Sequence, residues 1–254
     1  IFSWFYIYTF WLTLTICFFV FLWMIKKLSG KFGINDTFFF NRILWYFISV
    51  FFFSRLFYVI ANWSNFKFIK DPLEFFLMSD YNFSLIGAMF WYFLVMIISI
   101  VLHALRSGKY MDVSVLSFLF ASIIGYFWAF LWGQVYGKET NIGIEILYSN
   151  SFSPVPYEVP VFPLPIVYSI VFFILFSVLY MFAMFISVRG IIWYIGLSLI
   201  GTVLLILDTF SGKYDSFKIE LGISFTKLWA IGLIVFWFFG LYRIYKTPKS
   251  TEII

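Results

Sequence analysis

Residues 83–105 read FSLIGAMFWYFLVMIISIVLHAL, an apolar block with no aspartate, glutamate, lysine or arginine in it. A helix rises 1.5 Å per residue, so about 20 such residues cross a hydrocarbon core of roughly 30 Å. Working outward, the same kind of block recurs along the chain, at about 1–25, 41–62, 113–136, 164–186, 190–207 and 225–245. Composition agrees: 63% of the 254 residues are hydrophobic, 26% aromatic and only 11% charged. A water-soluble domain of this length does not carry so much apolar surface. The reading is an all-α membrane protein of seven transmembrane helices, forming a single domain over 1–254.

Charge gives the orientation. Ten of the 17 Lys and Arg fall on one side of the blocks: Lys26, Lys27, Lys31, Arg42, Arg106, Lys109, Arg189, Arg243, Lys246 and Lys249. Five fall on the other, namely Lys67, Lys70, Lys138, Lys213 and Lys218, while Arg55 and Lys227 lie inside blocks. Cytoplasmic loops are enriched in Lys and Arg, so the N-terminus is expected outside and the C-terminus in the cytoplasm. The net charge of +5 then reflects topology. No basic patch with interleaved polar residues suggests a nucleic-acid partner. Five of the seven prolines, Pro154, Pro156, Pro160, Pro163 and Pro165, crowd into one outer stretch. The loop 137–163, which holds the first four of them, reads as an extended Pro-rich outer loop.

Single residues exclude several chemistries. Cys17 is the only cysteine, so neither a disulfide framework nor a Cys-ligated metal is available. His103 is the only histidine and reads as an interfacial residue at a helix end. No metal and no cofactor are expected. Block one lacks a charged leading region and a small-residue cleavage site before Lys26, so it reads as a retained helix rather than a signal peptide.

Block four is the most specific part of the chain. Residues 112–137 read DVSVLSFLFASIIGYFWAFLWGQVYG. Gly125, Ala129, Gly133 and Gly137 recur every four residues, a spacing that makes a small-residue ridge for helix packing. The stretch resembles the signature segment of bacterial prolipoprotein diacylglyceryl transferases. That family has an Asp at the inner end of this helix, then Gly-Arg-x-Gly-Asn-Phe-x-Asn-Gly-Glu and a later Gly. Asp112, Gly125, Phe130, Gly133 and Gly137 match it without a gap. Arg55 to Val59 is similar to the family's Arg-x-Gly-Tyr-Val, with Arg55 and Tyr58 in register. Asp71-Pro72-Leu73 recurs after it, Ser84 and Gly87 fall in the family's Ser-Phe-His-Gly-Gly, and Tyr168 takes the place of a family Tyr. Ile223-Ser224 matches the Ile-Ser that opens the last helix. Seven segments with an outside N-terminus is also the topology this resemblance implies.

The departures shape the functional reading. The family moves a diacylglyceryl group from phosphatidylglycerol to the thiol of a lipoprotein signal-peptide cysteine. That transfer needs a base near the thiol and donors around the phosphate leaving group. By resemblance, the family's His falls at Ile86 and its signature Arg at Tyr126. Its two Asn fall at Ala129 and Trp132, its Glu at Gln134, and a further Arg at Leu204. No catalytic residue is therefore expected. Arg55, Tyr58, Tyr126, Gln134 and Asp208 remain as lipid-binding candidates. A charge as deep as Arg55 costs several kcal/mol unless paired or hydrated. An ion pair with Asp208 or Asp80, or snorkelling to the outer headgroups, answers that as well as a lipid phosphate does. Asp208 reads as a boundary residue closing its helix.

The expectation is a transferase-like bacterial inner-membrane protein, multi-pass and catalytically inactive. It would act as a scaffold or accessory subunit, with phospholipid and other membrane or outer-side protein subunits as partners. A divergent lipid transferase is the alternative. A transporter or channel is disfavoured, because no chain of ionisable groups crosses the segments.

Overall fold

The computed structural model describes residues 9–62, 83–103, 105, 107–133, 135–149, 155, 158–186, 190–213, 218 and 221–246. The helices are α1 (Thr9–Phe32), the single turn α2 (Thr37–Phe40), α3 (Ile43–Ala61), α4 (Leu85–Leu102), α5 (Ser107–Trp132), α6 (Leu164–Phe185), α7 (Ile191–Leu207) and α8 (Phe225–Lys246). Six of them are long and apolar enough to cross a membrane: α1, α3, α4, α5, α6 and α7, the last with the 3-10 turn Asp208–Phe210 that follows it. The apolar stretch of α8, Phe225–Gly240, is shorter. Among the described residues there is no strand, only isolated extended pairings.

The helix ends follow local chemistry. Block one does not stop at Lys26; α1 runs on through Lys26, Lys27 and Lys31 to Gly33, whose φ of 63° turns the chain. Ser84 caps α4, its hydroxyl accepting from the Gly87 amide at 3.2 Å. Pro165 lies in the first turn of α6, where its missing N–H costs nothing. Block four stops earlier than the small-residue spacing suggests. α5 ends at Trp132, and Gly133, with φ 61°, ends it in the left-handed conformation that favours glycine. Gly137 therefore lies beyond the helix, in an extended pairing with Ser211.

α5 is the hub. It packs against α1, α6 and α7, while α7 also meets α6 and α8, and α3 pairs with α4. Lipid tails are as apolar as the side chains, so close fit and polar bonds hold such helices together. Both are present. A Cβ on Gly87 would sit 2.6 Å from Phe57 Cβ and 2.8 Å from the Phe53 carbonyl, so glycine sets the α3–α4 approach. Ser169 Oγ donates across helices to the Ile123 carbonyl at 2.9 Å. Tyr92 OH and Ser114 Oγ bond at 3.0 Å between α4 and α5. Leu44, Val101, Leu102, Phe173 and Val235 are exposed. On a soluble monomer such apolar cover would be a liability; on spanning helices it is the lipid-facing surface.

Lys31, Arg42 and Lys109 gather at one end of the bundle. Lys31 donates to Tyr180 OH at 2.5 Å, and Lys109 to the Phe32 carbonyl at 2.7 Å. Arg42 Nη2 lies 2.6 Å from His103 Nε2, while His103 Nδ1 lies 2.8 Å from the Ser99 carbonyl. A neutral imidazole with its proton on Nδ1 satisfies both contacts. The opposite end carries the 135–162 connection, laced by bonds such as Gly137 N to the Phe162 carbonyl (3.1 Å) and Lys138 N to the Phe210 carbonyl (2.8 Å).

Candidate functional site

α4, α5, α6 and α7 converge on the volume where the resemblance places the family's chemistry. Ile86 and Leu204, on α4 and α7, are both buried and line one cleft with Met89, Phe118, Phe172 and Ile200. The cleft encloses only about 10 Å³, at the lower limit for a single water molecule. Small-molecule sites span roughly 300–1,000 Å³ and carry a few convergent polar groups. Every side chain lining this cleft is apolar. It offers no base, no anion donor and no polar anchor.

Beside it, Tyr126 stacks on Tyr168 with centroids 4.6 Å apart and planes 17° apart, and lies 5.5 Å from Phe172. The residue that the resemblance sets against the family's signature Arg is thus part of a ring stack. Ala129 lies one turn further along α5, and Trp132 ends the helix. Gln134 lies outside the described residues, as do Asp71-Pro72-Leu73, Asp80, Pro154 and Pro156.

Neither surviving charged candidate lines this apolar cleft. Arg55, on α3, is 6% exposed, and its guanidinium lies 5.8 Å over the Tyr58 ring. Asp208 begins the 3-10 turn after α7, as its reading as a boundary residue anticipates, yet it is buried. Its Oδ2 accepts from Ser224 Oγ at 2.5 Å, and Ser224 Oγ in turn accepts from the Lys227 amide at 3.2 Å. Asp208 thereby pins the start of α8 to the end of α7.

Asp112, matched only as a signature residue, has a role that sequence reasoning missed. It is buried near the start of α5. Its Oδ2 accepts from the Gly190 amide at 2.7 Å and its Oδ1 from the Trp193 amide at 2.8 Å. It caps the N-terminus of α7 from another helix. The available signal was Gly190 itself: a glycine at the N-cap has no side chain to satisfy the first amides, so the cap must come from elsewhere. A Cβ on Gly190, whose φ is 86°, would also lie 3.1 Å from Gly108 Cα.

The geometry defines a multi-pass helical membrane protein with an apolar cleft between α4, α5, α6 and α7. The model of the prolipoprotein diacylglyceryl transferase family matches residues 1–243, and the chain belongs to that family. No curated protein matches it.

Proposed function

We propose that this member of the family has given up diacylglyceryl transfer and serves as a membrane scaffold or accessory subunit. The carrying observation is that Ile86 and Leu204 close one apolar cleft together, beside the Tyr126–Tyr168 stack. Acyl and glyceryl transfers develop charge that must be met by placed donors and a base. Buried aliphatic groups supply neither. On this reading α8 is a seventh span, the basic end faces the cytoplasm, and the 137–163 loop is outside. The protein then sits in a bacterial inner membrane as one domain, with phospholipid and other membrane or outer-side subunits as its partners, and without cofactor or metal. Complementation of a transferase-depleted strain tests it. The expected result is no lipoprotein maturation despite normal membrane levels; rescue overturns the proposal.

One feature favours a second reading. Arg55 and the Asp208–Ser224 pair are polar groups kept buried within the bundle. In a divergent transferase these, with Tyr58, Tyr126 and Gln134, would hold a phospholipid. Rescue that disappears in Asp208→Asn but persists in Thr202→Ala would establish that reading in place of the first.

A further inference from the structure

The connection between α5 and α6 places apolar side chains outside the spans without covering them. Ile142 is 78% exposed, Ile144 65% and Leu147 60%. The run from Ile144 to Tyr148 is extended and pairs with 158–161: Ile146 and Val161 exchange both amide–carbonyl bonds, at 3.0 and 3.1 Å, and the Glu158 amide donates to the Tyr148 carbonyl at 3.1 Å. In an extended run side chains alternate, so Ile144, Ile146 and Tyr148 share one face, while Glu145 and Leu147 share the other. Tyr148 identifies the first face. Its hydroxyl donates to the Phe130 carbonyl at 2.9 Å, in the last turn of α5. Burial raises its phenol above the ordinary value, so it stays a neutral donor. That same end of α5 carries Phe127 and Leu131, both exposed on a span and hence lipid-facing. The face that carries Ile144 is thus the one turned toward the end of α5, beside its lipid-facing Phe127 and Leu131.

We propose that the tip of this hairpin, 142–144, rests in the leaflet at the loop end of the bundle, with Ile142 and Ile144 in the lipid and Glu145 and Leu147 in water. The headgroup zone is roughly 5–8 Å deep on each side, and Tyr148 ties the hairpin to the final turn of a span, within reach of it. Amphipathic surface elements bury apolar side chains about 5–10 Å into this boundary. Only side chains enter, so the backbone amides of Glu145 and Leu147 keep their water. Gly143, with φ 84°, makes the turn that projects both isoleucines from a short loop. Exposed Glu139, Glu145 and Glu158 against exposed Lys138 make the surroundings acidic, which fits a zwitterionic leaflet rather than an anionic one.

The full chain, with Cys17→Ala removing the only native thiol, is spin-labelled at Ile142→Cys, Ile144→Cys, Leu147→Cys or Lys138→Cys in phosphatidylcholine nanodiscs. Collision with oxygen and with a water-soluble nickel chelate is then measured. Labels at 142 and 144 are expected to meet oxygen several-fold more than nickel, and labels at 147 and 138 the reverse. Equal nickel access at 144 and 147 overturns the proposal, as does a 144 label shielded from both reagents, which would mean that protein covers it. Hydroxyl-radical footprinting of the unaltered protein in the same nanodiscs reads the same contrast without substitutions. Leu147 should be oxidised and Ile144 protected; oxidation of both overturns the inference. None of these outcomes bears on whether transfer activity is retained.

Discussion

The Asp112 carboxylate is buried in the second turn of α5 and is spent on two amides of α7. Leaving a buried donor without its acceptor costs about 1–3 kcal/mol, at or above the 0.5–2 kcal/mol of an ordinary N-cap. Asp112→Ala is therefore expected to lower the unfolding temperature of the detergent-purified protein markedly. Asp112→Asn, which keeps one acceptor, should fall between it and the native chain. An Asp112→Ala protein that melts like the native one would show that α7 needs no cap. The same residue illustrates the limit of motif matching. Asp112 is recognisable in the sequence as a signature position, but its partner lies 78 residues away, and no spacing rule links the two. Tyr126 is the converse case. Its identity alone rules out a cation at position 126, and the structure adds that it stacks on Tyr168.

At the scale of elements, the small-residue spacing in block four divides into two functions. Gly125 lies inside α5, where an added Cβ would be 3.4 Å from Cys17 Sγ, an ordinary contact with α1. Gly133 lies at the helix end with φ 61°. A left-handed residue with a side chain costs roughly 1–2 kcal/mol, and Asn bears it best. Gly133→Leu should reduce folded yield in membranes, and Gly133→Asn should restore most of it. Equal yields for Leu and glycine would mean that the chain does not need this turn. Gly201 is a close approach of another kind: a Cβ there would meet the Ala230 carbonyl at 2.9 Å, between α7 and α8. Gly201→Val is expected to loosen α8 selectively, seen as faster proteolysis within 225–246 while α1 to α6 stay resistant. Uniform loss of the whole chain would count against a separable α7–α8 contact.

For the whole molecule, the alternation of helices sends Lys26, Lys27, Lys31, Arg42 and Lys109 to one end and the 135–162 connection to the other. With the basic end cytoplasmic, a cysteine at Ser250 should be labelled by a membrane-impermeant thiol reagent only after the cells are opened. A cysteine at Ser151 should react in intact cells. Labelling of Ser250 from outside inverts the orientation.

Apolar run length and composition, by themselves, determined that this chain is helical and membrane-embedded. The reason is local: a backbone in hydrocarbon must satisfy its own hydrogen bonds, so about 20 apolar residues in a row leave few alternatives to a helix. Residue identity likewise determined that Ile86 and Leu204 are aliphatic, since no folding turns either into a base or a cation. What the tertiary structure decided is everything that depends on meeting across the chain. It put Ile86 and Leu204 in one cleft, spent Asp112 on α7 and Asp208 on Ser224, ended α5 at Trp132, and tied Tyr148 to the last turn of α5. A carboxylate, a glycine or an exposed isoleucine carries no sign in the sequence of what will face it. Only the packing of one helix against another supplies the partner.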